Sequence, residues 1–254
     1  MNRIKEIIRH SEHTAEVVIE SPSIARSARA GHFVIIRFNT ECPRIPFTIV
    51  DTDIAAGTFT IIIHKGAKLT DLINSLEVGY ELTDLLGPLG QAFEVKNYGT
   101  VLCCGDGVGF VPILPVMRAL KEAGNKVITI LSEFTAKTSC LRTNAERYSD
   151  VILHSDNEAD TLSLVRQEVE RSQPGLVVMT GPTHMMKSIA ESTRGKSIPT
   201  RCILNMVMLD GVGLCGICRV MVDGQRKLTC IDGPTFDAHK VDFDQLQNRQ
   251  RHFV

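Results

Sequence analysis

The hydrophobic pattern along the chain changes character twice. Up to about residue 96, apolar positions alternate with polar ones or gather in short β-branched runs: Glu16-Val17-Val18-Ile19-Glu20, His32 to Phe38, and Thr58-Phe59-Thr60-Ile61-Ile62-Ile63-His64. Alternation of period two buries one face of a strand, and the glycines and prolines between runs come at the intervals of a small antiparallel β-barrel. From about residue 97 the runs become fully apolar. Thr100-Val101-Leu102-Cys103-Cys104 predicts a buried strand, followed by a glycine loop from Gly105 to Pro112, an amphipathic helix through Ala123, and a strand from Asn125 to Leu131. A second unit repeats the rhythm: a strand at Val151 to His154, a helix at Thr161 to Ser172, a strand at Leu176 to Thr180, and a further helix opening at Gly181-Pro182-Thr183-His184-Met185-Met186. Strand, loop, helix, strand in succession is the pattern of a parallel α/β sheet. Past residue 200 the periodicity breaks into a glycine-rich loop and a hairpin. The fold class is therefore mixed β and α/β, with a barrel over 1–96, a parallel α/β domain over 97–200 and a small C-terminal subdomain over 201–254.

The C-terminal loop carries the densest chemistry. Asp210, Cys215, Cys218 and Cys230 read as D-x4-C-x2-C-x11-C, the loop-then-hairpin spacing that wraps a 2Fe-2S cluster, with an aspartate in place of the first cysteine. Gly211, Gly213 and Gly216 allow backbone N–H groups to turn inward around such a centre. Arg219 to Val222, a turn at Asp223-Gly224, and Arg226 to Thr229 predict the hairpin that brings Cys230 back to the other ligands. The competing reading is a structural zinc site of three thiolates with Asp210 or His239. A carboxylate is a harder ligand than a thiolate, so Asp210 changes the potential of a cluster it holds.

Three weaker signals lie upstream. In Arg44-Ile45-Pro46-Phe47-Thr48-Ile49-Val50, Arg44 and Thr48 share a strand face, so a guanidinium for a phosphate and a hydroxyl for a planar ring stand together; an ordinary solvated face would look the same. Lys65 to Thr70 opens a short helix predicted over Asp71 to Leu76, an anion site or a capped loop. The glycine turns at Gly105-Asp106-Gly107-Val108-Gly109 and at Gly181-Pro182 both follow parallel strands, where ligands of open α/β sheets sit. His184 at the second turn reads either as a ligand contact or as a solvated helix-start residue.

Composition narrows the function. The chain has 254 residues with 28 Lys and Arg against 29 Asp and Glu, a net charge of -1, interleaved throughout, which argues against a nucleic-acid surface and a polybasic membrane patch. The first residues lack the apolar core of a signal peptide, so a cytoplasmic protein is expected. Of its 8 cysteines, Cys42, Cys103, Cys104, Cys140 and Cys202 lie scattered and read as small buried hydrophobes.

With these pieces in order the sequence resembles the ferredoxin reductase-like flavoprotein family over nearly its whole length. The resemblance rests on Arg44 to Ile49, Gly87-Pro88-Leu89-Gly90, Gly105 to Gly109, Gly181 to Lys187, and the tail from Leu209 to His239. It implies FAD in the barrel, NAD(H) or NADP(H) on the α/β domain and a 2Fe-2S cluster in the tail. It implies that Arg44 meets the FAD phosphates, that Thr48 lies near flavin N5 beside Pro46, Phe47 and Ile49, and that Gly66 and Thr70 adjoin the pyrophosphate. Gly105, Asp106, Gly107, Val108, Gly109, Gly181, Pro182 and Met185 would border the nicotinamide nucleotide, and Asp210, Cys215, Cys218 and Cys230 would hold the cluster. The activity implied is an NAD(P)H-linked oxidoreductase subunit working beside a larger flavin and iron–sulfur partner, in a ferredoxin:NAD(P) oxidoreductase complex of the bifurcating transhydrogenase type. The alternatives are the electron-transfer subunit of a dihydroorotate dehydrogenase, in which four cysteines hold the cluster, and a non-catalytic redox carrier or sensor. Three departures stand out: no glycine-arginine start after Leu131, a short segment from Ser155 to Thr161, and no proline ahead of the cluster loop.

Overall fold

A computed structural model describes residues 2–11, 13–64, 74–132 and 139–251. The N-terminal strands are β1 (Ile4–Ser11), β2 (Thr14–Glu20), β3 (Phe33–Arg37), β4 (Ile45–Thr48), β5 (Asp51–Asp53), β6 (Thr58–His64) and β7 (Asp84–Leu89), with a short helix α1 (Pro22–Ser27) after β2. They form two antiparallel sheets, in the orders β1-β2-β6-β5 and β4-β3-β7. Alternation decides what faces inward: Val17 and Ile19 of β2, Val34 and Ile36 of β3, and Phe59, Ile61 and Ile63 of β6 make one buried core. Each such side chain stabilises by about 1.5–3 kcal/mol when fully buried. β3 departs from alternation for a structural reason. Its other face, Phe33 and Ile35, is buried in a second core shared with the C-terminal lobe, so four consecutive apolar residues are needed where a half-exposed strand needs two.

The α/β layer runs β8 (Thr100–Gly105), a 3₁₀ helix (Gly107–Ile113), α2 (Leu114–Glu122), β9 (Lys126–Ser132), α3 (Ser139–Tyr148), β10 (Val151–Ser155), α4 (Glu158–Ser172), β11 (Leu176–Met179), α5 (Thr183–Arg194) and β12 (Thr200–Ile203). The strands lie parallel in the order β10-β9-β8-β11-β12. Two elements differ from the sequence expectation. The helix expected from Thr161 begins at Glu158, because the Asn157 side chain accepts the Asp160 N–H and caps it three residues earlier. The glycine loop does not lead straight into an α-helix: residues Gly107–Ile113 wind as a 3₁₀ helix carrying Pro112, and the α-helix starts at Leu114. Proline lacks the N–H that an α-helical bond at this point would use. The helix expected over 71–76 begins outside the described residues.

The C-terminal lobe contains the hairpin β13 (Arg219–Val222) and β14 (Gln225–Leu228), then α6 (Thr229–Asp232), β15 (Thr235–Asp237) and α7 (Phe243–Gln250). The hairpin turns at Asp223 (φ 54) and Gly224 (φ 70), the left-handed pair that matches strand twist. The lobe is not a loose appendage. β15 pairs antiparallel with β12 and extends the parallel sheet, and Met206, Met208, Cys218 and Cys230 share one core with Leu102 and Ile128. No helix among the described residues is long and apolar enough to cross a membrane.

Candidate functional site

Three parts of the chain meet in one cleft. β4 contributes Pro46, Phe47 and Thr48, the 3₁₀ helix contributes Pro112, and the chain leaving β12 contributes Ile203, Leu204, Asn205 and Met208, with Pro234 beside them. The open space is about 430 Å³. Phe47 turns its ring into the barrel, edge-on to Phe38 with centroids 5.9 Å apart, so Pro46 and Thr48 are left to line the cleft. Ile49 is buried in the barrel core and donates its N–H to the His32 carbonyl at 3.2 Å. Arg44, at the head of β4, is ion-paired with Asp84 at 2.8 Å and half-exposed, so any phosphate it met would have to compete with that carboxylate. Gly66 and Thr70 lie outside the described residues, as does the side chain of Val108.

A second cleft opens at the carboxyl ends of the parallel strands, lined by Asp106, Ser132, Asp156, Asn157, Glu158, Thr161, Pro182 and Met185. The two glycine turns are pressed together at its edge. A Cβ on Gly109 would stand 3.4 Å from the Gly181 Cα, and one on Gly181 (φ +137) would meet the Met185 methyl at 2.7 Å; side chains at these two positions would close the turn. Gly105 ends β8 against Phe110, where a Cβ would come within 2.7 Å of the ring. The Ser132 hydroxyl donates to Asp106, and His184 is paired with Glu158 at 2.7 Å, bridging the starts of α4 and α5. The acidic lining of Asp156 and Glu158 escaped the sequence reading, because nothing along the chain says that β10 lies beside β9, with its end in the same cleft as Asp106.

The third element is the cysteine loop. Gly211, Gly213 and Gly216 adopt φ of 69, 85 and 64. The turns they allow point three N–H groups at one carboxylate: Val212 and Gly213 donate to Asp210 Oδ1 at 2.9 and 3.2 Å, and Cys215 donates to Oδ2 at 2.5 Å. Burial works against the ionised carboxyl of Asp210, but these hydrogen bonds outweigh it and hold its pKa below the ordinary value. The Cys218 and Cys230 sulfurs stand 3.3 Å apart in the interior, and burial together with the neighbouring Cys218 pushes the Cys230 thiol up to about 12. Cys215 is exposed at the surface. Among the described residues no three of these groups converge on one point, and His239, the other candidate zinc ligand, bonds Thr193 at 2.9 Å instead. The donor chemistry nevertheless fits an iron–sulfur centre: three soft sulfurs and an oxygen sit on a loop whose N–H groups already gather around negative charge.

Comparison with known proteins agrees with this geometry. Residues 205–242 match the iron–sulfur cluster binding domain of dihydroorotate dehydrogenase B, a stretch that holds all four candidate ligands. The electron transfer subunit homolog of dihydroorotate dehydrogenase B (NAD(+)) from Thermotoga maritima is 36% identical over 254 residues, covering 98% of this chain and 90% of the relative. The chain belongs to the ferredoxin reductase-like electron-transfer subunits. Another such subunit, from Geobacillus thermodenitrificans dihydroorotate dehydrogenase B, is 27% identical over 243 residues and covers 91% of this chain and 93% of its own. Among solved structures, one of the NADH-dependent reduced ferredoxin-NADP oxidoreductase superposes with a TM-score of 0.89 at 34% identity, over 99% of this chain and 93% of that one. A ferredoxin-NADP+ reductase from Plasmodium falciparum, at 12% identity, 76% of this chain, 89% of its own and a TM-score of 0.55, shares the fold.

Proposed function

We propose that the chain is the flavin and iron–sulfur electron-transfer subunit of a ferredoxin:NAD(P) oxidoreductase complex of the bifurcating transhydrogenase type. It exchanges hydride with NAD(H) and single electrons with a larger flavin and iron–sulfur subunit, and through that subunit with ferredoxin. One observation carries the reading. The cleft beside Thr48 is walled by Met208 and Pro234, residues that flank the ligand set of Asp210, Cys215, Cys218 and Cys230, so a ring seated there has the nucleotide sheet on one side and the cysteine loop on the other.

When bound, FAD supplies the conversion between a two-electron hydride and single electrons for the 2Fe-2S cluster. The residues of the chain order and shield that exchange. Thr48 presents its hydroxyl to the ring edge near N5, Pro46 holds the strand rigid, and Pro112, Ile203 and Leu204 keep water from the apolar face. Arg44 meets the FAD phosphates in exchange for Asp84. Gly105, Gly107, Gly109 and Gly181 give the nucleotide backbone-close access, with Asp106, Val108, Pro182 and Met185 at its border. The carboxylates of Asp106, Asp156 and Glu158 suit the hydroxyls of an unphosphorylated ribose and repel a 2′-phosphate, which favours NAD(H) over NADP(H). Asp210, Cys215, Cys218 and Cys230 hold the cluster. The partner docks over the exposed apolar side chains around that loop, Val207, Leu209, Val212, Leu214 and Ile231. Its place is the cytoplasm, where the free buried thiols of Cys103, Cys104 and Cys202 stay reduced.

The relatives also favour a second reading, the electron-transfer subunit of a dihydroorotate dehydrogenase. Asp210, standing where that subunit is expected to carry a fourth cysteine, speaks for the first. Iron, sulfide, zinc and flavin analysis of the purified chain, followed by anaerobic titration with NADH and then NADPH, tests the proposal. Flavin and iron–sulfur bands that bleach with NADH support it. Bands that do not bleach point to a carrier or sensor, and zinc without visible bands refutes it.

A further inference from the structure

Both ends of the cysteine loop return to the same cleft. Ahead of the loop, the chain leaving β12 buries Leu204, Met206 and Met208 and exposes Asn205 and Val207, and Met208 lines the cleft just before Asp210. Behind it, Cys230 lies in α6, and Pro234 lines the cleft from the other side. The two arms are joined, with the Leu204 N–H donating to the Pro234 carbonyl at 2.9 Å. A single barrel residue fastens the second arm twice: Gln91 donates its backbone N–H to the Gly233 carbonyl at 2.6 Å and its side-chain amide to the Ile231 carbonyl at 2.8 Å. Gly90 permits that approach, since a Cβ there would lie 3.0 Å from both the Gly233 oxygen and the Pro234 ring.

We propose that this strap makes flavin binding and occupation of the cysteine loop reciprocal, with Gln91 as the positioning residue that holds the strap against the barrel. The inference rests on the flavin and cluster reading above. Within the loop three N–H groups bond Asp210, and the Cys218 and Cys230 sulfurs are in contact. A cluster held by Asp210, Cys215, Cys218 and Cys230 would tie the ends of the loop together, and with them the arms that carry Met208 and Pro234, two walls of the flavin cleft. Linkage makes the effect mutual: whatever factor the cluster contributes to flavin affinity, flavin contributes to cluster affinity.

The test compares FAD dissociation constants, from quenching of flavin fluorescence under anaerobic conditions, for the cluster-loaded chain and for the same chain after its iron is removed with a chelator and its thiols kept reduced. Circular dichroism shows that the sheets survive the treatment. The cluster-free chain is expected to bind FAD at least about fivefold more weakly. In Gln91→Ala, and in Gln91→Glu, which keeps the volume but cannot donate to Ile231, that ratio falls toward one. Equal affinity of the loaded and cluster-free wild-type chain overturns the coupling, and an undiminished ratio in both variants overturns the role of Gln91 in it. Failure of both wild-type forms to bind FAD is a different result, and it overturns the flavin reading on which the coupling rests.

Discussion

Single residues set the chemical tolerances of this chain. Burial, and secondarily the charge of Arg29, lowers the pKa of His32, and its Nδ1 accepts the Arg29 N–H at 3.1 Å. A histidine kept neutral by the fold contributes stability that is complete above its unfolded pKa of about 6.5 and is lost as pH falls through the lower folded value. His239 is shifted the same way, first by burial. The midpoint of thermal unfolding is therefore expected to fall between pH 7 and pH 5, and His32→Gln should flatten that dependence; a parallel slope in the variant would remove His32 from the account. The thiols divide as sharply. Burial pushes Cys104 and Cys202 up to about 12 and raises Cys103 still further, whereas Cys215 is exposed. Iodoacetamide on the folded, cluster-free chain should label Cys215 and leave those three unmodified, as peptide mass spectrometry would show.

At the scale of elements, the sequence was readable where one face of an element is buried and less so where tertiary contacts override periodicity. β2 and the hairpin of β13 and β14 follow their alternation and turn residues closely, whereas β6 buries Ile62 on its other face as well as Ile61 and Ile63. The apolar run of β3 announced a strand but not its double burial, which depends on a lobe nearly two hundred residues away. The early start of α4 was visible only in the cap at Asn157, and the 3₁₀ turn after β8 only in Pro112. The cysteine spacing marked the loop, while its seat on the barrel was hidden. Gly211 (φ +69) shows that seat, because a Cβ there would collide with Ile35 and stand 2.9 Å from Leu89. Gly211→Ala combines an unfavourable backbone conformation with that clash. It should destabilise the chain by about 1–3 kcal/mol and lower retained iron, measured by denaturant unfolding and metal analysis. Full iron content at unchanged stability would mean the loop does not rest there.

The whole molecule is organised around the place where barrel, parallel sheet and cysteine lobe touch. Its pieces could be named from sequence, but their convergence could not, since Thr48, Pro112, Met208 and Pro234 are spread over the length of the chain. The acidic cleft at the strand ends was missed for the same reason. The outer rim of the cysteine loop carries the largest exposed apolar side chain of the site, Leu214 at 88% exposure. Leu214→Glu should weaken association with the larger subunit at least about tenfold, in keeping with the 1.4 kcal/mol or more that an interface anchor contributes, while NADH-driven bleaching of the isolated chain stays unchanged. Undiminished association would move the docking face elsewhere.

The central claim is that hydride entering at the nucleotide cleft leaves as single electrons through Asp210, Cys215, Cys218 and Cys230. Low-temperature electron paramagnetic resonance of the purified chain, frozen after anaerobic reduction with NADH, tests it most directly. The account predicts the signal of a reduced 2Fe-2S cluster, present in the wild type and altered in Asp210→Cys. A chain whose flavin bleaches with NADH while its cluster stays oxidised and silent would contradict it.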